Sequence, residues 1–544
     1  MLGVRRPDVA RELLLHRRVR THDPRRRGRG AGEGRRARRQ PVPDTRPHRS
    51  HRRRLSLEPD GRWLWQGRAV SPPRDRRRPA RAHRGGPDRG RRPRVIDGLL
   101  ELARHRVEGG GGADALERRV ERTSIAFEWG RLKAAGVTQE GGVNLRVLHR
   151  GRVGIAGTTN VGVGDAAAQH AAPLLERALA SAELGEEVAL VFPAPAKLPR
   201  LATHVARAAD ASLERLIQIG QGLLERLARE GCQVNVAIER EVAETRVANT
   251  AGAQGTYRST GVALSADLWR IAGDDVLAIG DALEGCDLPA DDALDGVVRS
   301  ITTRLDHALH IVAPPEGALP VVFTPTGLSA VLLPVTQGLS GKAVVQGISP
   351  LGNRVGEQVF HAGLSLTDDP LASGRTASRP LDDECVPSRV TCLVQGGVVQ
   401  RFVYDLETAA RAKTESTGHG QRGIFGKPVP AYTNIVLGET GNVKRETWNG
   451  LGGGLLRDIT DGLLVDELIG VGQGNVIAGA FSHPVALAYR VERGEITGRV
   501  KDAAVAGNAY DLLKRIGGFG SDARWAGSRY APSVLLEGVA VARR

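Results

Sequence analysis

The histidines are the first residues to test for chemistry, because zinc peptidases commonly place two histidines one helical turn apart, one followed directly by a glutamate base. None of the 14 histidines of this chain is followed by glutamate. His307 and His310 lie three residues apart at the end of a predicted helix, where either a metal pair or a solvated helix face would fit. The break at Pro314 and Pro315 favours the solvated face.

A glycine-rich stretch at residues 414–434, TESTGHGQRGIFGKPVPAYTN, has the composition of a phosphate-binding loop but not its spacing. A P-loop requires a glycine five residues before a Gly-Lys pair that is followed by serine or threonine. Here Gln421 holds the first position and Pro428 follows Lys427, so the glycine and the hydroxyl are both missing. Two interpretations of His419 stay open, a cleft-lining side chain and an exposed loop histidine.

Three other patterns could serve acid–base or nucleophilic chemistry. The paired carboxylates of TDDP (367–370) and LDDE (381–384) lie among Gly, Ser and Pro, the usual setting of Asx turns, and we favour the turns. GLSGK (338–342) departs from a Gly-x-Ser-x-Gly nucleophile elbow at its last residue. His483, directly before Pro484, is predicted to lie in a loop between strands with a structural or cleft-lining role.

The first 94 residues differ from the rest of the chain in composition. Of the formal net charge of +16, residues 1–94 contribute +22, because they hold 31 Arg, no Lys and 9 acidic residues; the other 450 residues therefore carry −6. No Ile, Phe, Tyr, Asn, Lys or Cys precedes Ile96. A segment with so few apolar anchors cannot offset the entropy of ordering, so we predict that residues 1–94 are disordered.

The arginines of this segment allow two interpretations. They would neutralise phosphates, but no aromatic residues accompany them apart from Trp63 and Trp65, so nucleic-acid binding is disfavoured. The second interpretation is a wrong-start artefact, in which GC-rich codons upstream of the true start produce the Arg, Pro, Gly and Ala bias. Val95 would then correspond to a GTG start, since Met1 is the only methionine.

Hydrophobic periodicity after residue 95 switches between helical and strand patterns, which predicts an α+β protein. Short turns at His149–Gly151, Gly396-Gly397 and Arg493-Gly494 predict antiparallel pairing. We expect an N-terminal α/β domain with antiparallel sheet and helices (95–316) and a C-terminal β-rich domain of antiparallel strands, barrel-like or sandwich-like (317–544). Predicted helices cover 95–107, 165–184, 211–230 and 508–520, and predicted strands include 141–160, 232–252, 319–325, 433–440, 462–469, 486–498 and 532–542.

The uncharged stretch GALPVVFTPTGLSAVLLPVTQGLSG (317–341) is long enough to suggest a membrane span. Pro320, Pro325 and Pro334 favour instead a buried strand, a turn and a short core helix. No secretory signal is visible. The four cysteines form no CxxC pair, which suits a reducing compartment, and we expect a cytoplasmic protein without a membrane segment.

Six blocks of the chain share the order and spacing of one protein family. The blocks are GVNLRVLHRGRVGIAGTTN (142–160), DDPLASGRTASRPLDDECVPSR (368–389), TESTGHGQRG (414–423), PAYTNIVLGETG (430–441), GLLVDELIGVGQGNVIAGAFS (462–482) and VAGNAYDLLKRI (505–516). With them, residues 95–544 resemble the TldD/PmbA family, specifically its PmbA, or TldE-like, branch. Cys385, where that family usually has glycine, is a local departure.

The resemblance implies a cytoplasmic subunit of a two-component zinc metallopeptidase that processes or degrades small or unfolded peptides. In the catalytic sister subunit, the zinc helix carries His-Glu-x-x-x-His and a late cysteine completes the site. This chain reads LLPVTQGLSG (332–341) at that helix, and no cysteine follows Cys392. The resemblance therefore implies a non-catalytic subunit with no catalytic or metal-binding residues, which binds no cofactor itself and leaves zinc to its TldD-like partner.

The Ser-Thr-Gly loop of the family is similar to TESTGHGQRG (414–423) and lies near the central cleft, which implies peptide-positioning or structural residues. With His419, Asn434 and His483, this gives six residues that are expected to line a peptide cleft: Ser416, Thr417, Gly418, His419, Asn434 and His483.

Alternatives to this role remain at the level of the sequence. One is an autonomous hydrolase or peptidase whose ligands are drawn from His361, His419, His483 and Cys392. Another is a homodimer in the absence of the TldD-like subunit. The sequence therefore leaves open whether the chain is itself an enzyme.

Overall fold

The computed structural model describes residues 55–57, 63–65, 95–159, 165–438 and 450–544. Contacts divide the chain into two compact units, Met1–Arg91 and Arg92–Arg544. In the first unit, strands β1 (Leu55–Leu57) and β2 (Trp63–Trp65) pair antiparallel. The rest of the segment that we predicted to be disordered, 1–94, lies outside the described residues.

Six long strands form the first sheet of the second unit, and all of them pair antiparallel. They are β3 (Gly112–Glu128), β4 (Arg131–His149), β5 (Arg152–Thr158), β6 (Cys232–Asn249), β7 (Gln254–Ala272) and β8 (Asp275–Gly285), in the order β5-β4-β3-β6-β7-β8. Arg150 and Gly151 have φ of 50° and 76° between β4 and β5, as a two-residue hairpin turn requires. The turn predicted at this point is confirmed.

Helices pack on this sheet through their apolar faces. The helices are α1 (Val95–Arg106), α2 (Asp165–Glu183), α3 (Ala206–Ala209), α4 (Leu213–Leu227) and α5 (Asp291–Ala308). Leu99 of α1 and Leu174 of α2 share one core with Leu145 of β4, whereas α4 and α5 share a second core with β6, β7 and β8. Three of the predicted helices are thus confirmed, with ends displaced by only a few residues.

The C-terminal half contains a barrel-like sheet. Its strands are β9 (Ile311–Val312), β10 (Gly317–Phe323), β17 (Asp461–Leu468), β18 (Ala480–Glu492), β19 (Glu495–Val500), β20 (Ala503–Asn508), β21 (Ile516–Phe519) and β24 (Val534–Arg543). The order is β17-β10-β24-β20-β18-β19-β9, with β21 beside β24, and β17 also pairs with β18, so that five strands close on themselves.

Shorter strands form the remaining sheets. These strands are β11 (Leu366–Asp368), β12 (Thr391–Gln395), β13 (Val398–Val399), β14 (Gly420–Gln421), β15 (Val429–Pro430), β16 (Ile435–Leu437), β22 (Arg524–Ala526) and β23 (Arg529–Ala531). Six of them form one sheet in the order β13-β12-β11-β16-β23-β22, and β14 pairs with β15. The helices are α6 (Ser329–Gly338), α7 (Gly341–Val345), α8 (Leu406–Arg411) and α9 (Ala509–Leu512), with 3-10 turns at Leu451–Asp458 and Val476–Ala478.

The helix predicted over 508–520 is wrong beyond its first turn. Helix α9 ends at Leu512, and residues 516–519 instead form β21, which pairs with β24. Gly517 and Gly518 are poor helix formers. The backbone groups of this segment instead find their hydrogen-bond partners on the neighbouring strand β24.

The α+β fold class is confirmed, with a helix-covered antiparallel sheet followed by a β-rich half. The predicted division of the body at residue 316 stays a prediction, since residues 92–544 form one compact unit. Within the part of the chain that the structure describes, no helix is both long and apolar enough to cross a membrane.

Candidate functional site

Helix α6 stands where the resemblance places the zinc helix of the sister subunit, directly after β10 and its connecting turn. Val331, Leu332 and Val335 are at most 2% exposed and pack into the largest apolar core. Ser329 and Leu333 of α6 are partly exposed and Gln337 is exposed, whereas the other residues of the helix are buried. The helix therefore serves as a packing element, because most of its buried side chains are hydrocarbon.

Two tyrosine hydroxyls bond to backbone carbonyls near the end of α6. Tyr432 donates its hydroxyl to Thr336 O at 2.6 Å. The hydroxyl of Tyr510 lies 3.0 Å from Pro334 O and 3.0 Å from Ile477 O. Burial raises the pKa of Tyr510 to about 12, so this hydroxyl stays protonated and able to donate.

The predicted Ser416–His419 loop is held by side-chain hydrogen bonds to its own neighbourhood. The Thr417 hydroxyl accepts from Tyr404 N at 2.7 Å and lies 2.9 Å from His419 Nδ1. Gly418 has φ of 78°, a conformation that favours glycine, and its N–H donates to Ser416 Oγ at 3.2 Å. Thr417, Gly418 and His419 are buried, so the interpretation of His419 as an exposed loop histidine is wrong.

Asp368 of β11 brings the loop and the Asn434 region together. Its carboxylate lies 3.0 Å from His419 Nε2 and accepts the N–H and the hydroxyl of Thr433, each at 2.7 Å. Asn434, fully buried, donates to Asp369 O at 2.8 Å. The His419 ring also lies 6.4 Å from the Tyr432 ring, so this cluster supports the tyrosine that holds α6.

His483 does not join that cluster. It lies on β18 opposite Val505 of β20, not in a loop as predicted, because β18 begins six residues earlier than the sequence pattern indicated. Its ring stacks on Phe481 with centroids 5.7 Å apart. Partial burial lowers the pKa of His483, which favours the neutral imidazole.

The residues present at α6 do not fit a zinc ion. Neither a histidine nor a carboxylate lies on the helix. The four alternative ligands do not converge either: His419 is bound to Asp368, and His361 accepts a hydrogen bond from Gly363 N at 3.0 Å. Among the described residues, no group of three or more His, Cys, Asp and Glu side chains is placed to hold a metal.

A cleft of about 350 Å³ opens beside the turn that leads into α6. Its walls come from β8, α5 and the C-terminal half, including Leu283, Val297, Pro325 and Trp525. The Trp525 ring is covered by the Arg375 guanidinium at 4.2 Å. The cleft therefore combines apolar surface with charged groups, as pockets for small ligands and peptides do.

The floor of the cleft is an ordered set of ion pairs. Arg304 of α5 donates to Asp466 at 2.7 Å, and Thr324 donates to the same carboxylate at 2.8 Å. Arg524 donates to Asp281 of β8 at 2.8 Å. Sequence reasoning missed these residues, because they lie far apart along the chain and no short motif joins them.

A second charged network, fully buried, ties the first sheet to the C-terminal half. Arg146 of β4 pairs with Asp114 of β3 and donates to Glu384 at 2.6 Å, while Arg422 donates to Asp114 at 2.7 Å. Glu384 also accepts from Leu406 N, the first residue of α8, at 2.7 Å. We name these four ionisable residues, Asp114, Arg146, Glu384 and Arg422, the buried ion network.

Burial decides the protonation of the acids in and beside this network. Desolvation raises the pKa of Glu384 to about 8, helped by the neighbouring carboxylates and opposed by Arg146. Desolvation likewise raises the pKa of Asp382 to about 6. Asp382 accepts backbone N–H groups from Glu384, Val386 and Gly420, so the turn predicted for LDDE is confirmed. The bond between Glu384 and Arg146 of the first sheet was not predicted.

Family models match two parts of the chain. One, described as the PmbA/TldA metallopeptidase C-terminal domain, covers residues 316–543. The other, described as PmbA/TldA metallopeptidase domain 1, covers residues 113–182. Together the two matches include more than half of the chain.

Curated relatives are similar over about two fifths of this chain. A metalloprotease of Methanothermobacter thermautotrophicus is 30% identical over 213 residues, which are 39% of this chain and 44% of the relative. In Haemophilus influenzae, a metalloprotease TldD homolog is 28% identical, covering 41% of this chain and 46% of the relative. A metalloprotease PmbA homolog of the same organism is 27% identical, covering 40% and 45%. The chain spans less than half the length of each of these relatives.

Solved structures are similar over most of the described chain. TldE from Thermococcus kodakarensis superposes with a TM-score of 0.71 at 23% identity, covering 82% of this chain and 100% of that one. A Thermotoga maritima protein superposes with a TM-score of 0.72 at 24% identity, covering 82% and 99%. At this level of identity the likeness establishes the fold.

Proposed function

The chain belongs to the TldD/PmbA family of metallopeptidase-related proteins, and from this premise we propose that it is a TldE/PmbA-like subunit of a two-component zinc peptidase. In this proposal the chain binds no zinc. It positions small or unfolded peptides for a TldD-like partner that carries the metal. The complex is proposed to act in the cytoplasm.

The composition and packing of α6 carry the proposal. A zinc-bound water mechanism needs two or three N, O or S ligands around one metal and a base beside the water. Helix α6 turns valine and leucine inward and is fixed at its end by Tyr432 and Tyr510. A family member with this helix contributes structure and substrate contacts, and the metal has to come from another chain.

The cleft beside the turn that leads into α6 supports a role in holding peptide. Its volume of about 350 Å³ and its apolar walls suit part of an extended peptide. The arginines that line it can donate hydrogen bonds to the carbonyl or carboxylate oxygens of a peptide. The loop Ser416–His419 is proposed to act in positioning, because His419 contacts Asp368 and Tyr432 behind α6, and Asn434 holds the neighbouring Asp369 through its backbone carbonyl. His483, which lies on β18 outside this cluster, is proposed as a further peptide-contacting residue.

Reconstitution with a sister subunit tests the proposal. We expect the purified chain to contain no stoichiometric zinc and to cleave no peptide. Addition of a sister with His-Glu-x-x-x-His should produce a peptidase that chelators inhibit and that requires both chains. A sister whose motif glutamate is changed to glutamine serves as the inactive control.

Variants of this chain separate substrate positioning from metal binding. Arg524→Met should raise the KM of the reconstituted enzyme more than it lowers kcat, since Arg524 lines the cleft and Asp281 keeps Arg304 as a partner. Arg354→Met, which changes an exposed arginine paired with Glu357, is the matched control. Zinc-dependent cleavage by this chain alone, lost in His419→Ala, would establish the autonomous hydrolase instead.

A further inference from the structure

The outer half of β4 is an open edge of the first sheet. Strand β4 runs from Arg131 to His149, and β3 accompanies it along this whole length. Strand β5 pairs only with Val143–His149 on the other side. Among the described residues, no strand pairs with residues 131–142 on the side away from β3.

The pairing between β4 and β5 shows which residues of β4 point their backbone N–H and C=O groups toward the open edge. The N–H groups of Val153 and Ile155 bond to Glu186 O and to the Ser181 hydroxyl, away from β4. The even-numbered residues of β5 therefore face β4, where Gly154 lies opposite Val147. Val147 therefore points its N–H and C=O groups toward β5, and so do the other odd-numbered residues of β4. Beyond the end of β5 these groups point to the open edge, and the residues concerned are Ala135, Val137, Gln139 and Gly141.

Nothing among the described residues protects this stretch against strand pairing. Residues 133–140 are exposed on both faces of the sheet, and Val137 keeps 55% of its surface accessible. The register with β3 is regular from Ala134 to Gly142 and shifts only near Leu132. Soluble proteins usually guard such edges with charges, prolines or bulges, but residues 135–139 contain neither a charge nor a proline.

We propose that the edge stretch Ala135–Gly141 of β4 pairs with the same stretch of a second copy of this chain. The pairing is antiparallel about a two-fold axis at Thr138, and it joins the two first sheets into one twelve-stranded sheet. A two-fold axis requires the surface to be self-complementary.

The sequence of the stretch meets this requirement. In the two-fold register, Ala135 lies opposite Gly141 of the second copy and Val137 opposite Gln139, so all outward backbone groups of the stretch find partners. Gly136 lies opposite Glu140, so the largest side chain on that face meets a glycine, beside which no atom lies within 4 Å of a Cβ position. Thr138 meets its own copy, a favourable cross-strand pair, and no like charges oppose each other.

Backbone blocking at the edge tests the interface. Val137→Pro removes an outward N–H and should convert the dimer of the purified chain to monomer, or weaken its dissociation constant at least tenfold, as measured by sedimentation equilibrium. Val137→Ala keeps the N–H and shortens the same side chain, so it should leave the dimer intact. Circular dichroism and thermal unfolding check that both variants keep the fold.

A disulfide tests the register independently. Residues facing each other across the axis in a non-hydrogen-bonded pair have Cα atoms about 4.5 Å apart, within the range of a disulfide. In a Cys232→Ser, Cys392→Ser background, which removes the two partly exposed cysteines, Thr138→Cys should cross-link two copies on mild oxidation. Ala134→Cys is the control, because the two copies of residue 134 lie about 26 Å apart in this register, at roughly 3.3 Å per residue.

Two results would overturn the proposal. One is a chain that stays monomeric at all protein concentrations in the absence of a sister subunit. The other is a dimer that Val137→Pro leaves unchanged and that Thr138→Cys does not cross-link. Since neither experiment uses peptidase activity, failure here leaves the proposed peptidase role unaffected.

Discussion

At the scale of single residues, most of the buried charged side chains in the described part of the chain lie in ion pairs. The buried ion network holds two arginines and two carboxyls with no exposed fraction above 6%. Such groups are costly to bury, and removing one partner leaves the others uncompensated. Glu384 stands out because it serves Arg146 and the N–H of Leu406 at once, and so couples β4 to the start of α8.

The titration of Glu384 makes stability depend on pH in a defined direction. Its pKa is about 8 in the folded chain against an ordinary value of 4.5, so the folded state holds a proton that the unfolded state has lost between these values. Raising the pH therefore favours unfolding in this window. We expect the melting temperature to fall between pH 6 and 8, and Glu384→Gln to reduce that slope.

A surface carboxylate provides the control for this measurement. Glu108→Gln changes an exposed partner of Arg150, an arginine that lowers the pKa of Glu108, so Glu108 carries no proton between pH 6 and 8. The slope should be the same as in the parent chain. An equal slope in the Glu384→Gln variant would mean that Glu384 stays ionised throughout this range.

At the scale of elements, α6 is a helix whose side chains pack in the core and offer no metal ligands. Pro334 removes one helical N–H, yet the helix continues to Gly338, because apolar packing and two tyrosine hydroxyls hold its end. The turn between β10 and α6 lines the cleft through Thr324 and Pro325. Packing of α6 therefore holds the end of a turn that borders the cleft.

Truncation of α6 side chains should distinguish its two faces. Leu332→Ala removes a side chain that is 2% exposed and should lower the free energy of unfolding by about 2–5 kcal/mol. Leu333→Ala, one position along the same helix, removes a partly exposed side chain and should cost less. Denaturant titration of both variants measures the difference, and equal losses would contradict the orientation of α6.

The elements also show how far sequence reasoning reaches. Local signals sufficed for α1, α4 and the hairpin turns at Arg150-Gly151 and Arg493-Gly494, because periodicity and turn chemistry act within a few residues. The start of β18 and the strand β21 were misjudged, because pairing with β20 and β24, which are distant in sequence, determines them.

In the candidate site, too, local features were predictable from the sequence and long-range contacts were not. The Ser416–His419 loop was found from its glycines and from family resemblance, but not the burial of His419. The contact of His419 with Asp368 spans 51 residues, and the pair Arg304–Asp466 spans 162. No short motif encodes such pairs, since the fold alone brings them together.

At the scale of the whole molecule, the second unit is joined by its cores as well as by its charges. The core that contains α4 and α5 also includes Tyr489 of β18 and Leu535 of β24, so the first sheet and the barrel-like sheet share apolar surface. The buried ion network adds a second connection through Arg146 and Glu384. The family relationship of residues 113–182 and 316–543 therefore corresponds to one continuous body.

The start of this body gives a final prediction. Deletion of residues 1–94 removes no Ile, Phe or Tyr, so we expect the remaining chain to keep its melting temperature and its binding to a sister subunit. Deletion of residues 1–108 also removes α1, whose Ile96, Leu99 and Leu100 are at most 3% exposed. Each such side chain contributes about 1.5–3 kcal/mol on burial, so this second deletion should lower the melting temperature strongly or prevent folding. Thermal unfolding of the two truncated chains beside the full chain makes the comparison, and a large loss already in the shorter deletion would show that residues 1–94 stabilise the body.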